Sequence, residues 1–380
     1  MFLTSLAKKC WKELPQPVRR VVLGGLCAVF VGRRAPVRED AGPLFVLGAF
    51  RSSSGLAQGA RLYAEAVRRA GRPVLLVDIT AAMLQRQDFP LPDGVLSLEE
   101  ARTRRGAGTV VLHANPPQFQ LTLCRLGREF LRQKRIVGYW AWELQEIPAI
   151  WKQALRYVDA VEVPSTFVRE AVARHTRAPV TVLPHAVPAP PRVKQDYAAD
   201  GVVRCLFSFD FSSSFERKNP LAALHAFAQA FPAGRAELTF KVSGADDSQP
   251  QFAAFRTACA RVAGVRLLTQ CLDAAALEAL YLRHDIYLSL HRSEGYGLTI
   301  REAMRCGLYV VATGWSGNMD FMRGEKTFAV PYTLTPVNLH SGPCKGLRTV
   351  WAEADVPAAA ALLRQIAATL LPAGPAPHPL

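Results

Sequence analysis

The chain lacks several motifs that assign a protein to a common class. Its eight cysteines form no Cys-x-x-Cys pair, and several of them lie inside apolar segments. Scattered cysteines favour buried thiols in a reduced, cytoplasmic protein over a disulfide framework or a zinc site. No Asp-x-Asp sequence occurs in the chain. We therefore expect neither a metal site nor a cofactor.

The glycine fingerprint of dinucleotide-binding proteins is also missing. Gly55 and Gly59 lie four residues apart, and Gly295 and Gly297 are followed by Ile300 where a third glycine would be needed. The Gly-x-Gly-x-x-Gly motif requires all three glycines, for a tight turn, close approach to a pyrophosphate and helix packing. A dinucleotide-dependent oxidoreductase is therefore not indicated.

The apolar stretch near the N-terminus is too short to cross a bilayer as a simple helix. Residues 21–31 provide about eleven apolar positions, whereas a spanning helix needs roughly twenty. No small-residue cleavage site follows before Arg33, so a cleaved signal peptide is not favoured. With its lysines and arginines, segment 1–40 is expected either to lie on an anionic membrane surface or to form a buried or loosely ordered extension.

The chain is strongly basic, with 46 Lys and Arg residues against 31 Asp and Glu residues and a formal net charge of +15. Such a charge raises the affinity for phosphates, nucleic acids or anionic membranes without choosing among them. We find neither an RNA-binding consensus nor a basic helix with interleaved aromatic residues, so a nucleic-acid partner is not indicated.

Strand-like and helix-like segments alternate along the 380 residues, which predicts two α/β domains. A proline cluster at residues 184–191 is the best domain boundary. We predict an N-terminal domain at 41–190, a C-terminal domain at 200–350, a helix at 351–371 that packs back on the N-terminal domain, and a disordered tail at 372–380.

Two strand ends in the N-terminal half carry candidate binding residues. A small-residue loop after the first strand ends at Ser54 and Gly55 before a helix, and its backbone amides can approach a phosphate or a sugar. His113 follows a later strand and can act as a general base or bind an anion. Without further context, a strand-end histidine bonded to backbone is the simpler interpretation.

The strongest pattern lies in residues 286–322. It predicts a strand at 286–290, a polar loop with two glycines, a helix from about Leu298 and a second strand. Ligands of parallel sheets bind beyond the carboxyl ends of the strands. Glu294 in the loop and Glu302 in the helix can therefore face one ligand.

A basic pair lies before another predicted helix. Arg217 and Lys218 precede Asn219, which is expected to cap a helix that begins at Pro220. Because the N-terminus of a helix attracts anions, the pair predicts a phosphate site. A solvated basic pair at the end of a loop is the alternative.

The segment SEGYGLTIREAM, which contains a Glu-x7-Glu motif, and the segment RKNP before a helix together resemble the retaining glycosyltransferases of family 4. The resemblance covers residues 44–370 and is strongest at 204–322. It implies the GT-B fold, an α/β architecture in which two Rossmann-like parallel-sheet domains face each other across a cleft. Segment 1–40 lies outside the resemblance.

The resemblance implies a nucleotide-sugar donor held mostly by the second domain. Glu302 would accept the ribose hydroxyls, and Glu294 would contact the donor sugar as a catalytic residue. Backbone groups would hold the sugar and the phosphate at Gly295, Tyr296, Gly297 and Leu298.

The remaining roles concern charge and protons. Lys218 and Arg217 would neutralise the diphosphate leaving group in place of a metal. His113, Ser54 and Gly55 would lie on the acceptor and phosphate side, with His113 as one candidate proton acceptor and a phosphate oxygen as the other.

Two features depart from the family pattern. Ser213 occupies the position five residues before Lys218 where the family has arginine, so either Arg217 substitutes for it or the diphosphate is held differently. The turn GWSGNMDF also fits the resemblance, but it differs from the commoner Gly-Gly-x-x-Glu form, with Asp320 at the position of the glutamate.

The expected activity is that of a metal-independent, retaining hexosyltransferase in glycan or polysaccharide biosynthesis. Its acceptor would be a glycan or a lipid-linked saccharide, and the protein would be cytoplasmic or peripheral on the cytoplasmic membrane face. The alternatives are another GT-B protein that binds nucleotide sugars, such as an epimerase or a phosphorylase, and a non-catalytic binding protein.

Overall fold

A computed structural model of the chain describes residues 14–32, 37, 42–232, 236–338 and 347–371. The predicted tail at 372–380 and much of the predicted extension at 1–40 lie outside these residues. The chain divides into two compact units, and the division falls between Ala186 and Val187, within the proline cluster.

The first unit contains a six-stranded parallel sheet with the order β2-β1-β3-β4-β5-β6. Its central strands are continuous apolar runs that are buried along their length, as expected for a parallel sheet with both faces covered. The strands are β1 (Leu44–Gly48), β2 (Val74–Asp78), β3 (Gly108–His113), β4 (Lys134–Tyr139), β5 (Ala160–Val163) and β6 (Val180–Val182).

Three helices of the first unit begin after a serine that caps the first turn. Ser54, Ser97 and Ser165 each accept a hydrogen bond from a first-turn amide, as serine commonly does at this position. The helices are α1 (Gln16–Phe30), α2 (Gly55–Arg69), α3 (Leu98–Arg102), α4 (Gln118–Leu131), α5 (Ala149–Ala154) and α6 (Thr166–Ala173).

The second unit contains a second six-stranded parallel sheet with the order β12-β11-β10-β7-β8-β9, and an antiparallel hairpin of two further strands. The sheet strands are β7 (Val203–Asp210), β8 (Ala236–Ser243), β9 (Val265–Leu268), β10 (Ile286–Ser289), β11 (Tyr309–Thr313) and β12 (Thr327–Val330), and the hairpin strands are β13 (Tyr332–Pro336) and β14 (Val350–Ala354).

The strand-loop-helix-strand pattern predicted for residues 286–322 is confirmed. The central helix begins at Leu298, and Gly307 follows its end with a φ of +87°, a conformation that favours glycine. The helices of this unit are α7 (Phe215–Lys218), α8 (Pro220–Ala230), α9 (Pro250–Ala260), α10 (Ala274–Leu282), α11 (Leu298–Arg305) and α12 (Val356–Leu370).

The final helix, α12, packs within the second unit. Its Leu363 and Ile366 side chains are buried in the core of the second unit, and Arg364 donates a hydrogen bond to the Gln229 carbonyl at the end of α8. The Ala/Leu-rich sequence of α12 predicts a buried helix face but does not specify the surface that covers it.

The cap predicted for α8 needs correction. Asn219 precedes α8 in a left-handed conformation, but its side chain donates to Glu353 at 3.1 Å and makes no capping bond to the helix. The serine-rich segment before Asn219 contains a 3-10 turn, Phe211–Ser213, and α7.

Each sheet has one place where the order of strands reverses. In the first unit β1 lies between β2 and β3, and in the second unit β7 lies between β8 and β10. Consecutive chain segments leave such a point in opposite directions, and this opens a crevice at the carboxyl ends of the two strands. A ligand site is therefore expected at the loops that follow β7 and β10.

Candidate active site

The basic pair after β7 and the acid after β10 meet at the reversal point of the second sheet. Lys218 Nζ lies 2.5 Å from Glu294 Oε1, and Arg217 Nη1 lies 3.4 Å from the same oxygen. All three side chains are largely buried, with exposed fractions of 13%, 11% and 7% for Lys218, Glu294 and Arg217. The pair is therefore not a solvated loop end, the alternative considered from sequence.

This arrangement fixes the ionisation of Glu294. Burial alone would raise the pKa of its carboxyl group, but the positive charges of Lys218 and Arg217 outweigh burial and lower the pKa to about 2. Glu294 is therefore a carboxylate at neutral pH, and its charge is balanced by two neighbouring cations.

The two cations have different surroundings. The Arg217 guanidinium donates to the Ser293 carbonyl at 2.8 Å and to Ser213 Oγ at 2.7 Å. It therefore ties the loop after β7 to the loop after β10. Ser213, where the family pattern has arginine, is thus one of the groups that hold Arg217 in place. Lys218 is the cation that can exchange its partner more readily, because its longer stem ends in a single ammonium group.

The loop after β10 is held by a second loop, which follows β11. Glu294 N donates to Ser316 Oγ at 2.8 Å, and Gly317 N donates to the Glu294 carbonyl at 2.9 Å. A Cβ atom at Gly317 would lie 2.2 Å from the Gly295 carbonyl oxygen. Only glycine therefore permits this backbone contact. Despite its departure from the commoner family form, the turn keeps a glycine at this contact.

A buried pair supports the same two loops. His291 is fully buried, and its Nε2 lies 3.0 Å from Asn318 Oδ1, while Asn318 Nδ2 donates to the Thr313 carbonyl. Burial lowers the pKa of His291. His291, Ser316 and Asn318 were not predicted as site residues, although all three lie inside the stretch that carried the strongest pattern.

The hairpin adds another brace that the sequence did not predict. Arg292 Nε pairs with Glu353 on β14 at 2.6 Å, and the Arg292 carbonyl accepts a hydrogen bond from Ala352 N. Arg292 N in turn donates to the Arg217 carbonyl. The hairpin thus stabilises the segment immediately before Glu294.

Helix α11 begins directly after this loop. Gly297 has a φ of +89°, and its position before the helix offers no side chain to cap the first amides. Its first turn, which starts at Leu298, carries no acidic residue. Tyr296 is buried against the ring of Phe321, at 4.8 Å between centroids. The predicted donor-binding segment Gly295–Leu298 therefore ends at a helix N-terminus, where the partial positive charge favours an anion.

Glu302 lies further along α11 and has a different environment from Glu294. Burial raises its pKa to about 7, and the Tyr281 hydroxyl, which donates to it at 2.9 Å, opposes that rise. A carboxyl group with this pKa is only partly ionised at neutral pH. Hydroxyl donors from a ligand would favour its ionised form.

In the first unit, the Ser54 hydroxyl is already engaged in the fold. It accepts from Ala57 N as the helix cap and donates to Gln85 Oε1 at 2.8 Å. Gly55 is the first residue of α2. The structure places both residues at the carboxyl end of β1, beside β3, which is the reversal point of this sheet.

His113 at the end of β3 is enclosed by aromatic rings. It is 1% exposed, stacks on Tyr139 with 4.3 Å between ring centroids, and meets the edge of Tyr63 at 5.0 Å. Neither ring nitrogen of His113 has a hydrogen-bond partner among the described residues. Burial, assisted by the nearby His185, lowers the pKa of His113 well below its usual value. His113 is therefore a neutral imidazole, and it lacks the backbone bond of the simpler interpretation.

His185 is a member of this cluster that sequence analysis did not identify. Its Nδ1 lies 3.2 Å from the Tyr139 hydroxyl, which donates to the Leu183 carbonyl. Burial lowers the pKa of His185 to about 4. His185 lies in the proline cluster that marks the domain boundary. Because a proline-rich composition is typical of a linker, the sequence did not predict the contact of His185 with Tyr139 at the end of β4.

The described residues contain no group of three or more His, Cys, Asp or Glu side chains that could hold a metal ion. In the same part of the chain, no helix is long and apolar enough to cross a membrane.

The Glu294 ion pair predicts a defined dependence of stability on pH. The folded-state pKa of about 2 lies below the ordinary value of 4.5, so the stabilisation is complete above pH 4.5 and is lost as the pH falls towards 2. Glu294→Gln is expected to lower the free energy of unfolding at pH 7 by roughly 3 kcal/mol. Urea unfolding at pH 7 and at pH 4 measures the difference in the free energy of unfolding between wild type and Glu294→Gln. This difference should be smaller by about 1 kcal/mol at pH 4.

Glu353→Gln provides the control, because Glu353 also pairs with an arginine but is 36% exposed. Its expected cost is below about 1 kcal/mol. Two outcomes would contradict the assignment of Glu294 as an ion-paired carboxylate with a lowered pKa. One is a loss of stability in Glu294→Gln no larger than that in the control. The other is a stability difference between wild type and Glu294→Gln that increases towards pH 4.

Comparison with known proteins gives one family match, which includes the residues of this site. The family model described as "Glycosyl transferases group 1" matches residues 210–336, which include Arg217, Lys218, Glu294 and Glu302. A search of curated protein sequences finds no match to this chain.

Solved structures share the fold at low sequence identity. HepE from Anabaena, in complex with UDP-glucose, is 14% identical with a TM-score of 0.58, and the match covers 86% of this chain and 89% of HepE. The pneumococcal O-GlcNAc transferase GtfA, in complex with UDP and GlcNAc, is 10% identical with a TM-score of 0.53, and the match covers 87% and 95% of the two chains.

A third structure, S. aureus TarM in complex with Fondaparinux, alpha-GlcNAc-glycerol and UDP, is 11% identical with a TM-score of 0.50. The match covers 69% of this chain and 49% of TarM, so the chain spans about half the length of that protein. The predicted α/β fold class, with two Rossmann-like parallel sheets as in GT-B glycosyltransferases, is confirmed. These likenesses concern the fold, and the family match concerns residues 210–336.

Proposed function

We propose that the chain is a metal-independent, retaining glycosyltransferase. It transfers a sugar, a hexose in our proposal, from a nucleotide-sugar donor to a saccharide or a lipid-linked saccharide during cytoplasmic glycan or polysaccharide synthesis. The observation that carries the proposal is the buried contact of Lys218 and Arg217 with Glu294, at the reversal point of the second sheet and beside the N-terminus of α11.

The donor diphosphate is the group that fits this charge distribution. Lys218 supplies a positive charge, and the uncapped first turn of α11 supplies backbone amides. When a diphosphate binds, Lys218 exchanges its bond to Glu294 for one to a phosphate oxygen. Arg217 stays in place, because backbone and serine oxygens hold its guanidinium.

The exchange prepares Glu294 for the sugar. Once Lys218 has turned to the phosphate, the Glu294 carboxylate has an accepting oxygen free for a hydroxyl of the donor sugar. Arg217 keeps the carboxylate ionised during this change. Glu294 therefore orients the donor sugar while Lys218 holds its leaving group.

Glu302 fits the ribose of the donor. Its carboxyl group can accept both ribose hydroxyls when ionised, and the Tyr281 hydroxyl supports the ionised form from the other side. Because the pKa of Glu302 is about 7 without ligand, binding of a ribose should be accompanied by partial release of a proton near neutral pH.

Catalysis then rests on stabilising the leaving diphosphate. Negative charge grows on the diphosphate as the bond to the sugar breaks, and Lys218 together with the amides of α11 stabilises this charge in the transition state. The enclosed position of His113 argues against direct contact with an acceptor. We therefore assign the proton of the attacking hydroxyl to a phosphate oxygen of the leaving group.

The first prediction of this proposal concerns nucleotide binding. Nucleoside diphosphates are expected to raise the melting temperature, because a ligand of the folded state stabilises it by mass action. Lys218→Met should weaken that binding roughly ten- to a hundred-fold by removing a charge-assisted bond. Isothermal titration calorimetry with a panel of nucleoside diphosphates measures the change.

Lys152→Met is the matched control, since Lys152 is an exposed lysine of the first unit and should leave nucleotide affinity unchanged. If wild type and Lys218→Met are both folded and bind nucleoside diphosphates with equal affinity, the proposal that Lys218 binds the diphosphate is refuted.

The second prediction concerns the stereochemistry of the product. With a nucleotide α-linked sugar as donor, the new glycosidic bond should again be α, and proton NMR of the isolated product distinguishes the two anomers by their coupling constants. A β-linked product would refute retention. Release of an epimerised nucleotide sugar, or of a sugar phosphate without glycosidic transfer, would instead assign the site to an epimerase or a phosphorylase.

A further inference from the structure

The outward side of α1 is apolar. Six of the thirteen exposed large hydrophobic side chains in the described residues belong to this one helix. Exposure reaches 71% for Val21 and 66% for Val29. We call these six residues the outer face of α1: Val18, Val21, Val22, Leu26, Val29 and Phe30.

The outer face is continuous along the helix. Positions 18, 22, 26 and 29 are separated by three or four residues and therefore lie on one side of an α-helix. Val21 and Phe30 border this row. An exposed apolar stripe of this length commonly marks a surface that contacts a membrane or another protein.

The opposite side of α1 fixes the helix on the first unit. Leu23, Cys27 and Val31 are 0%, 0% and 1% exposed. Cys27 Sγ lies 3.6 Å from Cys124 Sγ on α4, and Gln153 on α5 donates to the Arg20 carbonyl. Since one side of α1 is buried against α4 and α5, its outer face is held in a fixed direction.

The sequence around the outer face is basic. Residues 1–34 contain seven basic residues and one acidic residue, which are Lys8, Lys9, Lys12, Arg19, Arg20, Arg33 and Arg34 against Glu13. Basic residues next to an apolar helix face favour the head groups of anionic lipids, whereas they would repel the same basic segment of a second copy.

The length of α1 determines how it can meet a bilayer. Fifteen residues extend about 22 Å, less than the roughly 30 Å of the hydrocarbon layer. The buried inner side of α1 is also committed to the first unit. We therefore expect α1 to lie with its axis parallel to the membrane plane.

We propose that the outer face of α1 docks the first unit onto an anionic lipid bilayer. The apolar side chains enter the boundary between head groups and acyl chains, and the neighbouring arginines and lysines pair with lipid phosphates. This inference is independent of the proposed reaction, because it concerns only the first unit and no nucleotide sugar.

Vesicle flotation with the full chain tests the proposal. Wild type is expected to float with vesicles of phosphatidylcholine mixed with phosphatidylglycerol, and to bind phosphatidylcholine vesicles much more weakly. Val21→Glu/Val29→Glu should lower binding to the anionic vesicles roughly ten-fold or more, because two carboxylates replace inserted apolar groups.

Leu84→Glu/Leu91→Glu is the matched control. It introduces the same charge change at two other exposed leucines of the first unit, 45% and 44% exposed, and should stay within about two-fold of wild type. All replaced side chains are exposed, so the melting temperatures should agree and a folding defect would be visible there.

The proposal is overturned if wild type fails to float with anionic vesicles, or if both double variants lose binding equally. It is also overturned if light scattering shows a dimer of wild type that Val21→Glu/Val29→Glu converts to a monomer, since a second copy would then cover the outer face. Nucleotide binding by the same samples is measured separately, so a failure here leaves the proposed reaction untouched.

Discussion

One buried electrostatic contact organises the second unit: the Glu294 carboxylate against Lys218 and Arg217. Its charges come from loops that follow neighbouring strands, so the contact exists only if the sheet places β7 next to β10. A buried ion pair adds little net stability when its desolvation is counted. We therefore attribute to this ion pair a role in binding, in which the proposed donor diphosphate takes the place of Glu294 on Lys218.

The surrounding structure keeps this contact in position through hydrogen bonds from several loops. Arg217 bridges two loops, Ser316 and Gly317 bind the backbone of Glu294, and the hairpin binds Arg292, two residues before Glu294. Most of these restraints use backbone groups, which hold geometry without adding bulk. The site therefore joins a well-braced frame to one cation, Lys218, whose four-carbon stem suits the exchange of partners proposed above.

The sequence predicts those parts of the site that depend on local patterns. Strand, glycine loop and helix at 286–322 follow from short-range periodicity and from the backbone freedom of glycine, and Ser165 follows from helix capping. The bracing role of Arg217, the partner of Asn219 and the docking of α12 depend on contacts between distant segments. A single sequence carries no signal for such contacts. The contact of His185 could not be predicted for the same reason, since its partner, Tyr139, lies on β4.

The account's central claim is that Lys218 leaves Glu294 to bind the leaving diphosphate while Glu302 binds the ribose. A crystal structure of the chain with a nucleoside diphosphate tests this most directly. We predict a phosphate oxygen within hydrogen-bond distance of Lys218 Nζ and of the first amides of α11, and both ribose hydroxyls on Glu302. A nucleotide bound elsewhere, or bound here with the contact between Lys218 and Glu294 intact and no phosphate on Lys218, would contradict it.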